Sequence, residues 1–334
     1  MENEALYRVE DRLQNGTRKY YLLREVNSNS RKFRAAKLIK CGTPPTDAEI
    51  ARIVLLYGFD LEMKCCEKIA DYRVKTFRYE LNPNKNAYVQ LERYRYLDMR
   101  YHDYLTPEEY RAHVREHEYH YIHESVKTVG CTFTFPEVVQ MLDTGKIPNE
   151  KFLRDVNEIQ NIYACASLRN RHPRKVTVSL TLRLREMILE KIDTPEKLEP
   201  QMEEAIQQTL DRYYHRVGKG YHPFEQMIIW YQAFHQLQPF KAGSKRVARE
   251  VVHYMAMANG YPLSFQTSAQ VVDNASLFAD LDLEKNIPEI LSKYMGDKLP
   301  ELEMELRRRI HETWDLRGDK LQKQLDTFFD STRN

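Results

Sequence analysis

Near its start the chain alternates as extended strands do. Tyr20, Tyr21, Leu22 and Leu23 run into the polar break Asn27-Ser28-Asn29-Ser30, and Phe33, Ala35 and Lys37 then alternate toward Ile39. This pattern predicts a β-hairpin over residues 18–40. Beyond it the period changes. In residues 203–214 and again in 224–234 apolar positions recur every three or four residues, the spacing of a buried helical stripe. Four sites carry helix-start chemistry: Thr46 before Glu49, Thr106-Pro107 before Glu109, Thr134 and Pro136 before Glu137, and Asp193 and Pro195 before Glu196. Each sets a capping oxygen three residues ahead of a glutamate that can answer it, and three place proline in the tolerated first turn. Gly260-Tyr261-Pro262 reads as a helix end, and residues 288–329, with Arg307, Arg308 and Arg309, as a charged helical tail. The expected fold is mainly α. It divides into an N-terminal hairpin and helical region (1–119), a helical core (120–270) and a C-terminal helical extension (271–334), with no repeat or low-complexity linker.

Composition narrows the function. A chain of 334 residues with 42% hydrophobic content can fill one large core or two modest ones. Lys plus Arg number 51 against 49 Asp plus Glu, so no global field marks a nucleic-acid binder, and any charge argument is local. Five cysteines form no Cys-x-x-Cys pair and the N-terminal residues lack a signal-peptide pattern, which predicts a cytoplasmic protein with reduced thiols. The apolar run at 229–234 is too short to cross a bilayer.

The most informative stretch is Leu237-Gln-Pro-Phe-Lys-Ala-Gly-Ser-Lys-Arg-Val-Ala-Arg249. It resembles the signature of the Fic (filamentation induced by cAMP) family, whose usual form is His-Pro-Phe-x-Asp/Glu-Gly-Asn-Gly/Lys-Arg-x-x-Arg. Upstream, His222-Pro223-Phe224 with Trp230, Tyr231, Phe234 and Leu237 looks like the helix leading into that motif, and residues 251–262 look like the helix that follows. Ser125, Gly130, Thr132, Thr134 and Glu137 are similar to the inhibitory segment that precedes the domain. In all, the resemblance spans most of residues 18–270 and implies a Fic-type helical core.

Carried over residue by residue, the resemblance implies a damaged site. The family histidine that accepts the target hydroxyl's proton during AMP transfer corresponds to Gln238, an amide with no basic nitrogen. The family's magnesium-binding carboxylate corresponds to Ala242, which offers no side-chain oxygen. The phosphate-binding Asn becomes Ser244, still a donor, followed by Lys245. Gly243, Arg246 and Arg249 persist at the expected spacing. A glycine turn opening a helix, with Lys241 and Lys245 beside it, suits an anion, so Gly243, Ser244, Lys245, Arg246 and Arg249 are the candidate cofactor-binding residues. The competing structural reading has Arg246 and Arg249 capping a helix or pairing with internal carboxylates. Val129 replaces the inhibitory glutamate and cannot pair with the second arginine. Residues 187–202 are short where the family carries a β-hairpin flap that clamps its target.

The expectation is therefore a degenerate Fic protein, impaired in AMP transfer, that binds a nucleotide or anion or a protein partner of unknown identity. ATP or another nucleotide would be held without strong magnesium dependence. The alternatives are an active ATP-dependent protein adenylyltransferase with a divergent mechanism, and a nucleic-acid contact through the hairpin. That hairpin carries Arg18, Lys19, Arg24, Arg31, Lys32, Arg34, Lys37 and Lys40 against Glu25. Lysines on an exposed strand also prevent edge pairing, the reading we favour. His235, one turn before Gln238, is weighed as a substitute base and favoured as a satisfied, partly buried histidine. His113, His117, His120 and His123 have partial metal-helix spacing but lie among glutamates, which favours a solvated face.

Overall fold

A computed structural model describes residues 7–28, 30–81, 85–171, 175–262, 289–292, 295 and 298–331. Residues 263–288, which include the junction at 270–271, lie outside the described residues, as do several positions early in the predicted tail. The chain forms two compact units: Met1–Lys75, Val89–Leu105 and Asp297–Asn334 in the first, Thr76–Tyr88 and Thr106–Gly296 in the second. These cut across the stretches read from sequence. The helix beginning at Pro107 already belongs to the second unit, and the tail helix groups with the first.

The first unit holds an antiparallel sheet in the order β1 (Tyr7–Gln14), β2 (Thr17–Ser28), β3 (Arg31–Cys41). The expected hairpin is β2–β3. The added strand β1 follows from Asn15-Gly16, whose φ angles of 51° and 73° suit a two-residue hairpin turn between Gln14 and Thr17. Leu22, Val26, Phe33 and Ala35 point to one buried face, against α1 (Asp47–Thr76) through Val54, Leu61, Cys65 and Ile69. Thr46 and Glu49 cap α1 reciprocally: the Thr46 N–H donates to the Glu49 carboxylate at 2.7 Å, and the Glu49 N–H to Thr46 Oγ1 at 3.2 Å. Helix α2 (Lys85–His102) adds Tyr96 and Leu97 to this core. In the same core Glu62 takes Arg24 Nε at 2.5 Å, Arg100 Nε at 3.1 Å and the Tyr96 hydroxyl at 2.5 Å.

The second unit is built of α3 (Pro107–Lys127), α4 (Phe135–Thr144), α5 (Leu153–Arg171), α6 (Val178–Leu189), α7 (Pro200–Gly218), α8 (Pro223–Leu237) and α9 (Ser244–Ala258). The capping boxes at Thr106–Glu109 and Thr134–Glu137 form as the sequence predicts. The one at Asp193 does not. Residues 193–199 are irregular and α7 starts at Pro200, because Glu196 is drawn away to bond the Lys241 N–H at 3.1 Å and to pair with Arg185. Local capping chemistry loses there to tertiary bonds. Helix α8 is buried on nearly every side and packs between α7 and α9. Its first turn is pinned where the Glu225 carboxylate accepts the N–H groups of Glu80 at 2.8 Å and Leu81 at 3.3 Å. The tail helix, α10 (Lys298–Ser331), brings Leu306, Ile310 and Trp314 to the core of the first unit. Among the described residues, no helix is long and apolar enough to cross a membrane.

Candidate functional site

The site begins where α8 ends. Gln238 caps that helix in the left-handed region at φ 43°, and its N–H still bonds the Phe234 carbonyl at 3.2 Å. Five residues later Gly243, at φ 84°, opens α9. Between them the chain reverses, and Ser244 holds the reversal closed: its Oγ accepts the Phe240 N–H at 3.1 Å and donates to the Phe240 carbonyl at 2.8 Å. The lone hydroxyl donor of Ser244 is thereby committed to the turn. As a phosphate donor it is engaged elsewhere, a role that spacing alone does not reveal.

The first-turn amides of α9 are different. Gly243 provides no side-chain cap, and the first intrahelical bond runs from Val247 N–H to the Gly243 carbonyl at 2.9 Å. The N–H groups of Ser244, Lys245 and Arg246 therefore lack an intrahelical acceptor, and the helix dipole adds positive potential there. Facing this turn is a cleft of about 310 Å³ lined by Val129, His235, Gln238, Lys241, Lys245 and Arg246, with Phe240, Gly243, Ser244 and Ala248. A larger cleft of about 480 Å³ lies between α7 and α8 around Thr209, Arg212 and Trp230, but lacks this set of cations and open amides.

Gly243 is held to glycine by its backbone. A Cβ there would meet Leu189 Cδ2 at 3.5 Å and Ile188 Cγ2 at 3.9 Å, both ordinary contacts, whereas φ 84° is unfavourable for any L side chain. Gly243→Ala is expected to cost about 1–2 kcal/mol, measured by denaturant unfolding of the full chain. A smaller loss would show that the turn relaxes freely.

The two arginines divide between the readings offered for them. Arg246, 8% exposed, pairs with Glu158 at 3.4 Å, and Glu158 also takes Arg154 at 3.3 Å. Burial raises the Glu158 carboxyl above its usual range against the opposing pull of Arg246, and burial lowers Arg246 against the opposing pull of Glu158. Arg249, 5% exposed, donates through Nη2 to the Ser125 carbonyl at 3.2 Å and to Ser125 Oγ at 3.1 Å. Among the described residues, the internal-carboxylate pairing thus holds for Arg246 and not for Arg249. Ser125 supplies oxygen one turn before Val129, where no acid is available. Lys241 and Lys245 are exposed on the rim.

At the position the resemblance assigns to a magnesium ligand, Ala242 carries no oxygen, and two carboxylates bonded to this turn, Glu158 and Glu196, are engaged by Arg246 and by Arg185 with the Lys241 N–H. These residues do not fit a bound divalent cation. Between α6 and α7 the connection at 190–199 is turn and irregular backbone.

Together, a buried helix, a left-handed break, a glycine turn and a second helix with its two arginines form the helix–turn–helix that the sequence resemblance implies. Similarity to solved structures decides the fold. A Fic-domain signalling protein of Bacteroides thetaiotaomicron aligns over 64% of this chain and 94% of its own, at TM-score 0.50 and 17% identity. Fic-1 of C. elegans aligns over 79% of this chain and 85% of its own, at TM-score 0.52 and 16% identity. The chain has the Fic fold. No family model and no curated protein matches it. At 16–17% identity the likeness resides in helix arrangement.

Local bonding engages many of the other candidate residues. Arg24, counted among the hairpin cations, is 4% exposed and belongs to Glu62. Arg8, Lys32 and Arg34 share Glu25, Arg18 meets Asp11 at 3.3 Å, and Lys40 meets Glu49 at 2.8 Å. Strand β1 brings Asp11 and α1 brings Glu49, acids that the hairpin alone lacks. In the histidine run, His120 stacks on Phe135 at 3.8 Å between centroids and His123 Nδ1 lies 3.0 Å from Glu124. Among the described residues no candidate metal group contains two members of that run. His235 behaves differently. It is 9% exposed, lines the cleft, and neither ring nitrogen has a hydrogen-bond partner among the described residues.

Proposed function

We propose that this chain is a degenerate Fic protein: a binding module that holds a nucleotide or related phosphate-bearing anion at the turn from Lys241 to Arg249 and is impaired in AMP transfer. The supporting observation is the contrast within one turn. Three first-turn amides of α9, Lys241, Lys245 and Arg246 surround the cleft, whereas the base and metal positions are Gln238 and Ala242. Anion binding needs the first set. Proton removal and metal-assisted charge neutralisation need the second, and loss of the base alone forfeits about 10² to 10⁴ in rate. Val129 fits the same account, since an inhibitory acid has no purpose at a site with nothing to inhibit. Binding without transfer implies that the readout passes to a protein partner. Of the hairpin cations, Arg18, Lys32, Arg34 and Lys40 each stand beside a carboxylate, which weakens the case for a nucleic acid as that partner.

The test uses ATP labelled at the α-phosphate. With magnesium, label on the protein or on a general protein pool is expected to stay at the level of Arg246→Ala, while calorimetry shows ATP binding that persists when magnesium is chelated. Incorporation above that level would establish the divergent transferase instead. Absence of binding heat in both conditions would remove the anion site.

A further inference from the structure

We propose that His235 is a ligand-binding residue of this cleft, completing a site for a phosphate monoester whose phosphate lies over the first turn of α9 and accepts a hydrogen bond from the imidazole. The inference rests on the anion-binding reading above and adds a contact that the sequence resemblance does not contain. The position the resemblance assigns to a histidine is Gln238, three residues further on, across the helix end.

Three observations converge. The His235 ring is nine-tenths buried, yet neither nitrogen bonds to anything among the described residues, a state that native interiors avoid. It lines the same cleft as Gln238, Lys241, Lys245 and Arg246. The open amides of α9 line that cleft as well, through Ser244, Lys245 and Arg246. Donors dominate among these groups. Lysine, guanidinium and backbone N–H are donors only, the side-chain oxygen of Gln238 is the amide acceptor in the lining, and Glu158 already serves Arg246. A phosphate supplies several acceptor oxygens to one small volume, which is why the chemistry points to phosphate and not to a carboxylate or an apolar ligand.

The imidazole is suited to that contact without being charged. Burial, and then the nearby Lys245, lower its pKa below the ordinary histidine value, so it stays neutral with one N–H and one lone pair. The N–H serves a phosphate oxygen. The lone pair accepts from a hydroxyl on the same ligand, the P–OH of free hydrogen phosphate or a sugar hydroxyl of a phosphate monoester. Tyr231, one turn earlier with ring centroids 6.4 Å apart, packs beside the ring.

The experiment follows the imidazole resonances of the full chain by nitrogen-resolved magnetic resonance during titration with inorganic phosphate, adenosine monophosphate and adenosine. His235→Gln assigns the signal. Phosphate and adenosine monophosphate are each expected to shift the His235 resonances saturably, at the midpoints calorimetry gives for the same ligands, and adenosine to leave them still. Adenosine monophosphate binding about tenfold tighter than phosphate identifies a nucleotide as the ligand, and equal affinity identifies phosphate itself. His235→Phe should weaken both by about tenfold, with His235→Gln recovering most of the loss. Binding heat with unmoved His235 resonances would overturn this inference and leave the anion site standing. Absence of both heat and shift would overturn the two together. The wild-type spectra decide even where the phenylalanine variant folds poorly.

Discussion

Glu62→Gln is expected to destabilise the N-terminal unit by about 3–5 kcal/mol, because removing one member of a buried ion cluster leaves the others without compensation. Glu62 is fully buried and holds Arg24 and Arg100, themselves 4% and 8% exposed, together with the Tyr96 hydroxyl. An amide offers one acceptor oxygen and no charge, so two guanidinium groups would remain in an apolar interior. The effect has a definite pH dependence. Burial alone would raise the Glu62 carboxyl, but Arg24 and Arg100 outweigh it and hold the folded value below the ordinary 4.5. A depressed carboxylate gives stability that is complete above its unfolded value and is lost as pH falls through its folded one. The gap between wild type and variant should therefore be full at pH 7 and shrink in acid below the ordinary carboxylate range. Hydrogen exchange resolved to α1 and the sheet measures it, since a two-unit chain need not unfold in one step. A difference under about 1 kcal/mol at pH 7 would mean that water replaces the carboxylate, contrary to its burial.

What the sequence discloses divides along the distance between partners. Capping boxes at Thr46, Thr106 and Thr134 are legible because donor and acceptor stand three residues apart, and the glycine turn at Gly243 because its conformation is demanded locally. Asn15-Gly16 was equally local and predicts β1, although the alternation of residues 18–40 draws attention to β2 and β3 alone. Asp193 shows the limit. It has every local mark of a helix start, yet Glu196 serves Lys241 and Arg185 instead. The same limit governs the site. Glu158 lies 88 residues from the Arg246 it holds, and Ser125 lies 124 from Arg249, so no spacing rule could assign either partner. His235 carried a readable position, one turn before the motif, but an unpartnered nitrogen is a property of packing. Arg24 marks the opposite error: a basic residue in a basic hairpin reads as surface until its buried acid is known.

Restoring the Fic chemistry tests whether the cleft is still a nucleotide site. Gln238→His, Ala242→Asp and Ser244→Asn together are expected to tighten magnesium-dependent ATP binding by about tenfold, roughly 1.4 kcal/mol, with at most weak self-modification. The backbone favours the first change, since Gln238 sits at φ 43° and histidine is among the side chains that tolerate the left-handed region. The second adds a carboxylate to a turn whose acids are otherwise committed to Arg246, Arg185 and the Lys241 amide. The third has a cost that only the structure shows. Ser244 Oγ closes the turn through both polar groups of Phe240, at 3.1 and 2.8 Å, and asparagine breaks that pair. About 1 kcal/mol of stability per bond should be lost even as affinity rises, so opposite signs in the two measurements distinguish repair from general stiffening. Single changes should do little, because a base without a metal ligand, or the reverse, leaves the transition state unserved. Transfer to a protein target stays weak for a separate reason: the strandless 190–199 connection provides no flap to clamp one. Calorimetry with and without magnesium reads the outcome. Affinity unchanged in the triple variant would mean that Glu158 keeps Arg246 from any phosphate, and the proposed nucleotide site would fall with it.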